Sequence, residues 1–371
     1  MAGSLSGLRV IDLSGHLSGP FCAMQLADHG ADVIKVERPD GGDEARRMPP
    51  FVNGEGAPFM VWNRNKRSVT LDLKSDVDRG RFLALLETAD VLLENYRPGT
   101  MDRLGLGYDT LKARFPRLIY CAISGFGQTG PESGRGGFDL MTQAMSGLMA
   151  VCGPADGPPH RLPIAISGRR RRAVCDHSGF SRRSRRAIAP GRGQFVETSL
   201  FEAAMSLGVY EAAHYFTTNE KPPRIGQAHR GSSPYQVFKT ADGWMTIGAS
   251  QQNFWTRFVA ILGVPELERD PRFVSNAERV KHNDVLVALL QARLETQPTA
   301  HWLTQLQEAG IPGGAGADPR SGVHPSADRG ARHGGHGRSR QGRREPHARS
   351  RGQAVGHAGQ RAPRRAGARP A

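Results

Sequence analysis

Residues 7–37, GLRVIDLSGHLSGPFCAMQLADHGADVIKVE, decide the fold, because two short β-rich runs flank one helical pattern. Leu8–Leu13 is a compact apolar run. Pro20–His29 has helical spacing and stops at Gly30, which can close a helix in the left-handed region without a Cβ clash. Ala31–Glu37 is a second strand candidate. The alternation continues: Asp76–Ala89 reads as a helix with Phe82, Leu83, Leu85 and Leu86 on one face, and Asp90–Glu94 and Leu118–Ser124 read as further strands. Apolar strands separated by helices predict a parallel sheet covered on both faces. The fold class read from this is α/β, with a Rossmann-like large domain.

The second half reads differently. Residues 136–152 (GGFDLMTQAMSGLMAVC) predict a helix closing on small residues, and Thr198–Phe216 predicts one long helix. Pro222–Pro223 marks a linker. Tyr235–Lys239 and Trp244–Gly248 flank Ala-Asp-Gly, a hairpin signal. Helices are expected at Phe254–Leu262, Ala277–Glu295 and Thr299–Ala309, so a smaller α+β domain follows the large one. The boundaries expected are 1–221 for the large domain, 222–315 for the small domain and 316–371 for a basic tail. No internal repeat is visible.

The 371 residues carry a net charge of +15, which taken whole suggests a polyanionic partner. The charge is local, however. Residues 168–193 hold nine Arg against Asp176, and residues 320–371 hold thirteen Arg against Asp328 and Glu345. Those segments account for +8 and +11, and 15 − 8 − 11 leaves −4 for the rest. The remainder is therefore mildly acidic, which argues against basicity as a property of the fold. Cys22, Cys121, Cys152 and Cys175 form no CxxC pair and no metal-ligand spacing, so inert thiols in a reducing cytoplasm are expected. No bound metal and no redox cofactor are expected. No secretory signal pattern and no long apolar run is visible, so a cytoplasmic protein without membrane association is expected.

The first strand-to-helix turn, Ser14-Gly15-His16-Leu17-Ser18-Gly19-Pro20, lacks the GxGxxG fingerprint. Glu37 stands where a dinucleotide enzyme would hold a ribose, but without the glycines NAD binding is weakly supported. Arg38 beside it suits a phosphate-bearing ligand. Asn63-Arg64-Asn65-Lys66-Arg67-Ser68 is a dense donor cluster whose forks and amides suit phosphate oxygens; taken alone it also fits a solvated basic loop. Glu94-Asn95-Tyr96-Arg97-Pro98-Gly99 follows a strand at the carboxyl end where α/β sheets bind ligands, and Arg103 is close enough in sequence to face the same crevice.

Taken together these stretches resemble a known family. GLRVIDLSGHLSGP (7–20), GADVIKVERPDGGDEAR (30–46), NRNKRSVTLDLK (63–74), ADVLLENYRPGTMDRLGLGYDTL (89–111) and ISGFGQTGP (123–131) occur in the order and spacing of the class III CoA-transferases. This is the L-carnitine dehydratase/bile-acid-inducible family, which includes formyl-CoA transferase and carnitine CoA-transferase. The resemblance resumes at GRGQFVETSLFEAAMSL (191–207) and runs through SSPYQVFKTADGWMTIGA (232–249) to LQEAGIPGG (306–314). It implies an interlocked homodimer, acyl-CoA and a small carboxylic acid as partners, and CoA along the carboxyl ends of the large-domain strands. The implied CoA contacts are His16, Leu17, Arg38, Asn65, Lys66, Asn95, Tyr96 and Arg103, with Arg38 and Lys66 neutralising nucleotide phosphates.

The chemistry implied is nucleophilic catalysis by an aspartate through a mixed anhydride and an enzyme–CoA thioester. A related branch racemises α-methylacyl-CoA with an acid/base pair. Its members carry His before the Asp of the helix motif, where this chain has Phe138 before Asp139, and a Glu where this chain has Ser250-Gln251-Gln252. Both departures favour transfer. Asp139 is then expected to cap or pack its helix.

The nucleophile itself is missing. The resemblance implies Asp after LPIAIS (162–167), opening a helix of the form Asp-x-x-x-Gly, but Gly168 stands there, followed by RRRRAVCDH. One permissible back-translation of Gly168–His177, with a single G removed, reads Asp-Val-Ala-Ala-Gly-Leu-Tyr-Ala-Thr. A compensating change near Ala189–Pro190 restores the frame before Gly191. Residues 168–190 are thus read as out of frame, and so is the Arg-, Gly-, Ala- and Pro-rich tail from about Gly316. After Arg320 the sequence has no Leu, Ile, Met, Phe, Tyr or Trp, so as written it cannot bury a core and is expected to be disordered. The competing readings are a CoA-binding relic without catalysis, and an Arg-rich chain that binds nucleic-acid phosphates without reading sequence. Nucleic acid is disfavoured, because the basic segments replace family elements instead of adding to them. Asp176 lies too late in the sequence to substitute for the nucleophile.

Overall fold

The computed structural model describes residues 3–166 and 192–316, and these divide by contact into two units. The first comprises the described residues up to Met149, then 161–166 and 192–209; the second comprises 150–160 and 210–316.

The first unit is built on a six-stranded sheet. Its strands are β1 (Arg9–Asp12), β2 (Asp32–Glu37), β5 (Lys66–Thr70), β6 (Val91–Glu94), β7 (Ile119–Ser124) and β8 (Phe195–Ser199). They lie in the order β5-β2-β1-β6-β7-β8, and every pair is parallel. A small hairpin, β3 (Phe51–Val52) and β4 (Glu55–Gly56), stands apart from the sheet. The expected Rossmann-like α/β layout is present.

Continuous apolar runs arise because both faces of this sheet are covered. Along β1, Val10 points into one core and Ile11 into the other; Val33 and Ile34 do the same along β2. On β7, Ile119, Cys121 and Ile123 face one side, and Tyr120 and Ala122 the other. Helix α1 (Ser18–Asp28) covers the first face with Cys22, Ala23, Leu26 and Ala27. The second face takes Phe82 and Leu86 of α3 (Asp76–Leu86), following the short α2 (Ala57–Trp62), then Met101 of α4 (Thr100–Arg103) and Leu111 of α5 (Tyr108–Arg114). Full burial of Phe82 is worth about 2–3 kcal/mol. Leu83 and Leu85, expected on the same helix face, are only partly buried.

Three expected helices are interrupted. Residues 136–152 give α6 (Asp139–Met145) and α7 (Leu148–Val151), separated at Gly147, whose φ is 82°. Thr198–Phe216 begins in β8. Ser199 then caps α8 (Leu200–Met205) through a capping box with Glu202, and α9 (Val209–Thr218) starts after Gly208. Apolar periodicity runs across these breaks, so it cannot locate them.

The second unit carries an antiparallel sheet in the order β11-β10-β9, with β9 (Tyr235–Lys239), β10 (Trp244–Gly248) and β11 (Gly313–Ala315). The hairpin expected around Ala-Asp-Gly is β9–β10. Helices α10 (Gln252–Ile261), α11 (Asn276–Lys281), α12 (Asn283–Leu294) and α13 (Thr299–Glu308) complete it. The single helix expected over Ala277–Glu295 breaks at His282, whose φ and ψ of −106° and 28° leave the helical region. Leu286, Leu290 and Leu294, spaced one turn apart along α12, join Phe238, Met245, Ile247, Trp255, Phe258, Trp302 and Leu306 in one core. No helix among the described residues is long and apolar enough to cross a membrane.

Candidate active site

The chain leaves β1 for a helix on one face and leaves β6 for helices on the other. The strand order therefore reverses between β1 and β6, the switch point where open α/β sheets form a ligand crevice at their carboxyl ends. A cleft of about 480 Å³ occupies this place. The turn Ser14–Ser18, the ends of β2 and β6 and the loop from Gly125 to Asp139 form its walls.

His16, Leu17, Arg38, Asn95 and Tyr96 all line it, so five of the eight expected contact residues are gathered here. Arg103 lines an adjoining cavity of about 400 Å³ that shares Arg38 and Tyr96 with the cleft. Asn95 has a second task. Its Oδ1 accepts from Gly15 N at 2.9 Å, and its Nδ2 donates to Gly15 O at 2.8 Å and Ser18 Oγ at 3.2 Å. It thus clamps the β6 end to the β1 turn. Gly19 lets α1 begin against that turn, since a Cβ there would fall 2.1 Å from the Ser14 Cβ. Across the cleft, a Cβ on Gly137 would meet Gly125 Cα at 2.5 Å, so both positions need glycine for the backbones to touch.

Two expected contacts line neither cavity. Lys66 is buried; its Nζ donates to Asp12 Oδ2 at 2.8 Å, Pro20 O at 2.8 Å and Asn63 Oδ1 at 2.7 Å. Those bonds occupy all three ammonium protons, so Lys66 does not present a charge to a phosphate here. Burial lowers its pKa to about 8 against the pull of Asp12. Asn65 is exposed, has a φ of 62°, and donates to Asp28 Oδ1 at 2.7 Å. Glu37 is not available to a ribose either. Burial alone would raise its pKa, but hydrogen bonds from Arg46, Ser68 and the Asp43 amide hold it at about 2.

Arg97, in the Glu94–Gly99 stretch singled out from the sequence, also lines the cleft. Other lining residues were not foreseen: Arg135 and Gly136 add to the cleft, and Leu71, Asp72, Leu73 and Lys74 wall the adjoining cavity. The last four follow the carboxyl end of β5, the same topological position as the other loops. Arg135 is paired with Glu132 at 3.0 Å, and Arg38 donates to Gly42 O and pairs with Glu44. Asp139 lines the cleft at the start of α6, and its Oδ2 accepts from Gln143 Nε2 at 2.6 Å. The buried Gln143 also binds Leu162 N at 2.9 Å, which holds the LPIAIS segment so that Ala165 reaches the cleft wall. Gly168 and Asp176 lie outside the described residues.

Glu94, the last residue of β6, is 4 % exposed and has the Tyr96 amide as a donor at 2.7 Å. Burial raises its pKa to about 7, the Tyr96 amide opposes this, and Asp102 adds to it. A carboxyl raised from its ordinary value of 4.5 favours the fold when protonated. Stability from this group is full below 4.5 and is lost as pH rises through about 7, up to about 3 kcal/mol. Glu94→Gln is expected to flatten this slope and to raise stability at pH 8, measured by urea unfolding at several pH values. An unchanged slope would assign the pH dependence to another group.

Comparison with known proteins identifies the family and its fold. A sequence model of CoA-transferase family III matches residues 5–331. The chain is 39% identical over 312 residues to the acetyl-CoA:oxalate CoA-transferase of Acetobacter aceti, covering 84% of this chain and 80% of that protein. It is 39% identical over 311 residues to the succinyl-CoA:glutarate CoA-transferase of Mus musculus, covering 84% and 71%. Among solved structures, a CAIB/BAIF family protein from Brucella suis superposes with a TM-score of 0.77 at 32% identity, covering 96% of this chain and 99% of that one. A hypothetical protein from Mycobacterium tuberculosis gives 0.78 at 30% identity, covering 88% of each chain. The cleft at the β1–β6 switch point belongs to a member of CoA-transferase family III.

Proposed function

We propose that the gene encodes an enzyme that moves CoA from a CoA thioester to a free carboxylic acid, with CoA seated in the β1–β6 cleft. The observation that carries this reading is the set of groups around that cleft in a family III chain. Arg38, Arg97 and Arg135 supply guanidinium forks, His16 and Tyr96 supply rings, and the cavity beside Tyr96 has room for a further part of the ligand. Relatives named for oxalate and glutarate support small dicarboxylic acids as the acceptor class.

In the proposed reaction an aspartate carboxylate attacks the thioester carbonyl, and the C–S bond breaks to release CoA thiolate. The thiolate attacks the aspartyl carbonyl of the resulting mixed anhydride, freeing the donor acid and leaving an aspartyl–CoA thioester. The acceptor carboxylate attacks that thioester and expels CoA thiolate again. Attack of the thiolate on the acceptor carbonyl gives the new acyl-CoA and regenerates the aspartate. The expected position of this aspartate is 168, just beyond the segment that enters the cleft at Ala165. With Gly168 there, the chain as written has no group to form the anhydride. Racemisation is the second reading; Phe138 before Asp139, and Ser250-Gln251-Gln252 in the second unit, count against it.

A second copy of the chain is the proposed partner. Exposed apolar side chains on α6, Leu140, Met141 and Met145, support an intersubunit face there, and so independently do Tyr210, Tyr215 and Phe216 on α9.

Isothermal titration of the purified chain with CoA tests the binding half of this reading. CoA is expected to bind without added acceptor, and Arg38→Leu is expected to weaken it about tenfold, since charged hydrogen bonds to phosphate contribute about 1.5–3 kcal/mol. Loss of nothing on Arg38→Leu would remove the cleft from the reading.

A further inference from the structure

Two buried ion pairs that the proposed chemistry does not use lie in the cleft wall and behind it. Lys35 Nζ lies 2.8 Å from Asp43 Oδ2, with side chains 2% and 1% exposed, and Lys66 Nζ lies 2.8 Å from Asp12 Oδ2, at 2% and 0%. The Lys35–Asp43 contact is an ion pair without a directed hydrogen bond to Oδ2. The four charges sum to zero.

We propose that Asp12, Lys35, Asp43 and Lys66 are positioning residues that fix the Ser14–Ser18 turn in the shape that meets the nucleotide. This rests on the CoA reading above. Every member of the cluster reaches the turn or the helix start beside it. Asp12 Oδ1 accepts from Ser14 N at 2.9 Å and from Ser14 Oγ. Lys35 Nζ donates to Ser14 O at 2.6 Å. Asp43 Oδ1 accepts from His16 N at 3.0 Å, and Lys66 Nζ donates to Pro20 O at 2.8 Å.

Stability does not account for these charges. Removing four ions from water is costly, and apolar side chains of similar volume commonly hold a fold as well or better. What hydrocarbon cannot supply is a set of directed bonds to neighbouring main-chain atoms. The turn needs them, because His16 has a φ of 61°, a left-handed conformation that costs a residue with a Cβ about 1–2 kcal/mol. The pinned conformation sends the His16 and Leu17 side chains to the cleft wall.

The test separates stability from position. In the double variant Lys35→Met with Asp43→Leu, the charge pair is replaced by hydrocarbon, and the His16 and Ala45 amides and the Ser14 carbonyl lose their partners. Its thermal midpoint is expected to fall, but by less than that of Asp43→Asn, because removing two buried charges offsets part of the lost bonds, while its Kd for CoA, by titration calorimetry, rises about tenfold. Asp43→Asn keeps an acceptor for His16 but leaves Lys35 without a counter-charge. It is expected to be the less stable of the two and yet to recover most of the lost affinity. Affinity that simply follows thermal stability across the two variants overturns the proposal. Hydrogen exchange of the parent chain needs no variant: a peptide spanning residues 14–18 is expected to exchange far more slowly than a free loop, and exchange at the free-chain rate overturns the proposal as well. Were the parent to bind no CoA, the reading under Proposed function would fall, while the exchange result would still decide whether the cluster holds the turn.

Discussion

The purified chain is expected to transfer no CoA from an acyl-CoA donor to an added dicarboxylic acid. Each half of the proposed reaction passes through an anhydride between substrate acyl group and enzyme carboxylate, and glycine at 168 offers no oxygen for that bond. Loss of a catalytic nucleophile lowers turnover on the order of 10⁴- to 10⁶-fold. Gly168→Asp alone is expected to restore nothing measurable. The residues after it, Arg169-Arg170-Arg171-Arg172-Ala173-Val174-Cys175-Asp176, stand where the resemblance implies an apolar helix that would aim the carboxylate. A gene corrected across codons 160–195 and from codon 310 onward is expected to encode an active transferase. Chromatographic separation of donor and product acyl-CoA over several hours measures all three proteins. Ready turnover by the chain as written would remove the aspartate from the mechanism; turnover by Gly168→Asp alone would show that the helix after it is dispensable. CoA binding is expected to survive in the uncorrected chain, because the described cleft residues do not depend on the altered segment for their identity.

The central strands were legible because burial on both faces leaves a run of apolar residues that nothing else in the chain imitates. The edge strands were not. Lys66–Thr70 (KRSVT) and Phe195–Ser199 (FVETS) each pair on one side only, and their mixed composition resembles a loop. Missing β5 had two consequences for the site. Leu71–Lys74, at its carboxyl end, went unnoticed as a cavity wall. Lys66 was read as a free phosphate donor, although on a strand successive side chains face opposite ways. There Lys66 points into the protein beside Asp12, while Arg67 turns outward to Asp32 with an Nη2–Oδ1 distance of 2.6 Å. Counting donors in a basic cluster gives charge but not direction. The loops after β1 and β6 line the cleft because they leave neighbouring strands at the switch point; the sequence pointed to the second by its place after a strand and to the first only through the resemblance.

Arg279→Leu is expected to cost the second unit about 3–5 kcal/mol, as large an effect as any single buried polar substitution commonly gives. From sequence Arg279 is an ordinary charged residue on a helix, yet it is fully inaccessible. Its Nε donates to Ser233 O at 2.9 Å, Nη1 to Phe273 O at 2.9 Å and Gln252 Oε1 at 3.0 Å, and Nη2 to Ser250 O at 2.7 Å. The guanidinium also lies over the Trp255 ring, 4.9 Å from its centroid. No carboxylate pairs with it among the described residues, and burial lowers its pKa to about 10, so it is still charged at neutral pH. One side chain thus ties α11 to the start of β9, the loop after β10 and the turn at Phe273. Leucine fills the space but leaves three carbonyls and an amide oxygen without donors, each unmade bond costing about 1–3 kcal/mol before relaxation. Arg279→Lys is expected to recover less than half of the loss, since an ammonium has fewer donors and no planar fork to span these acceptors. Urea unfolding followed by tryptophan fluorescence reads the effect directly, because Trp244, Trp255 and Trp302 all lie in this unit. A loss below about 1 kcal/mol for Arg279→Leu would mean that water can enter and replace the guanidinium at these carbonyls.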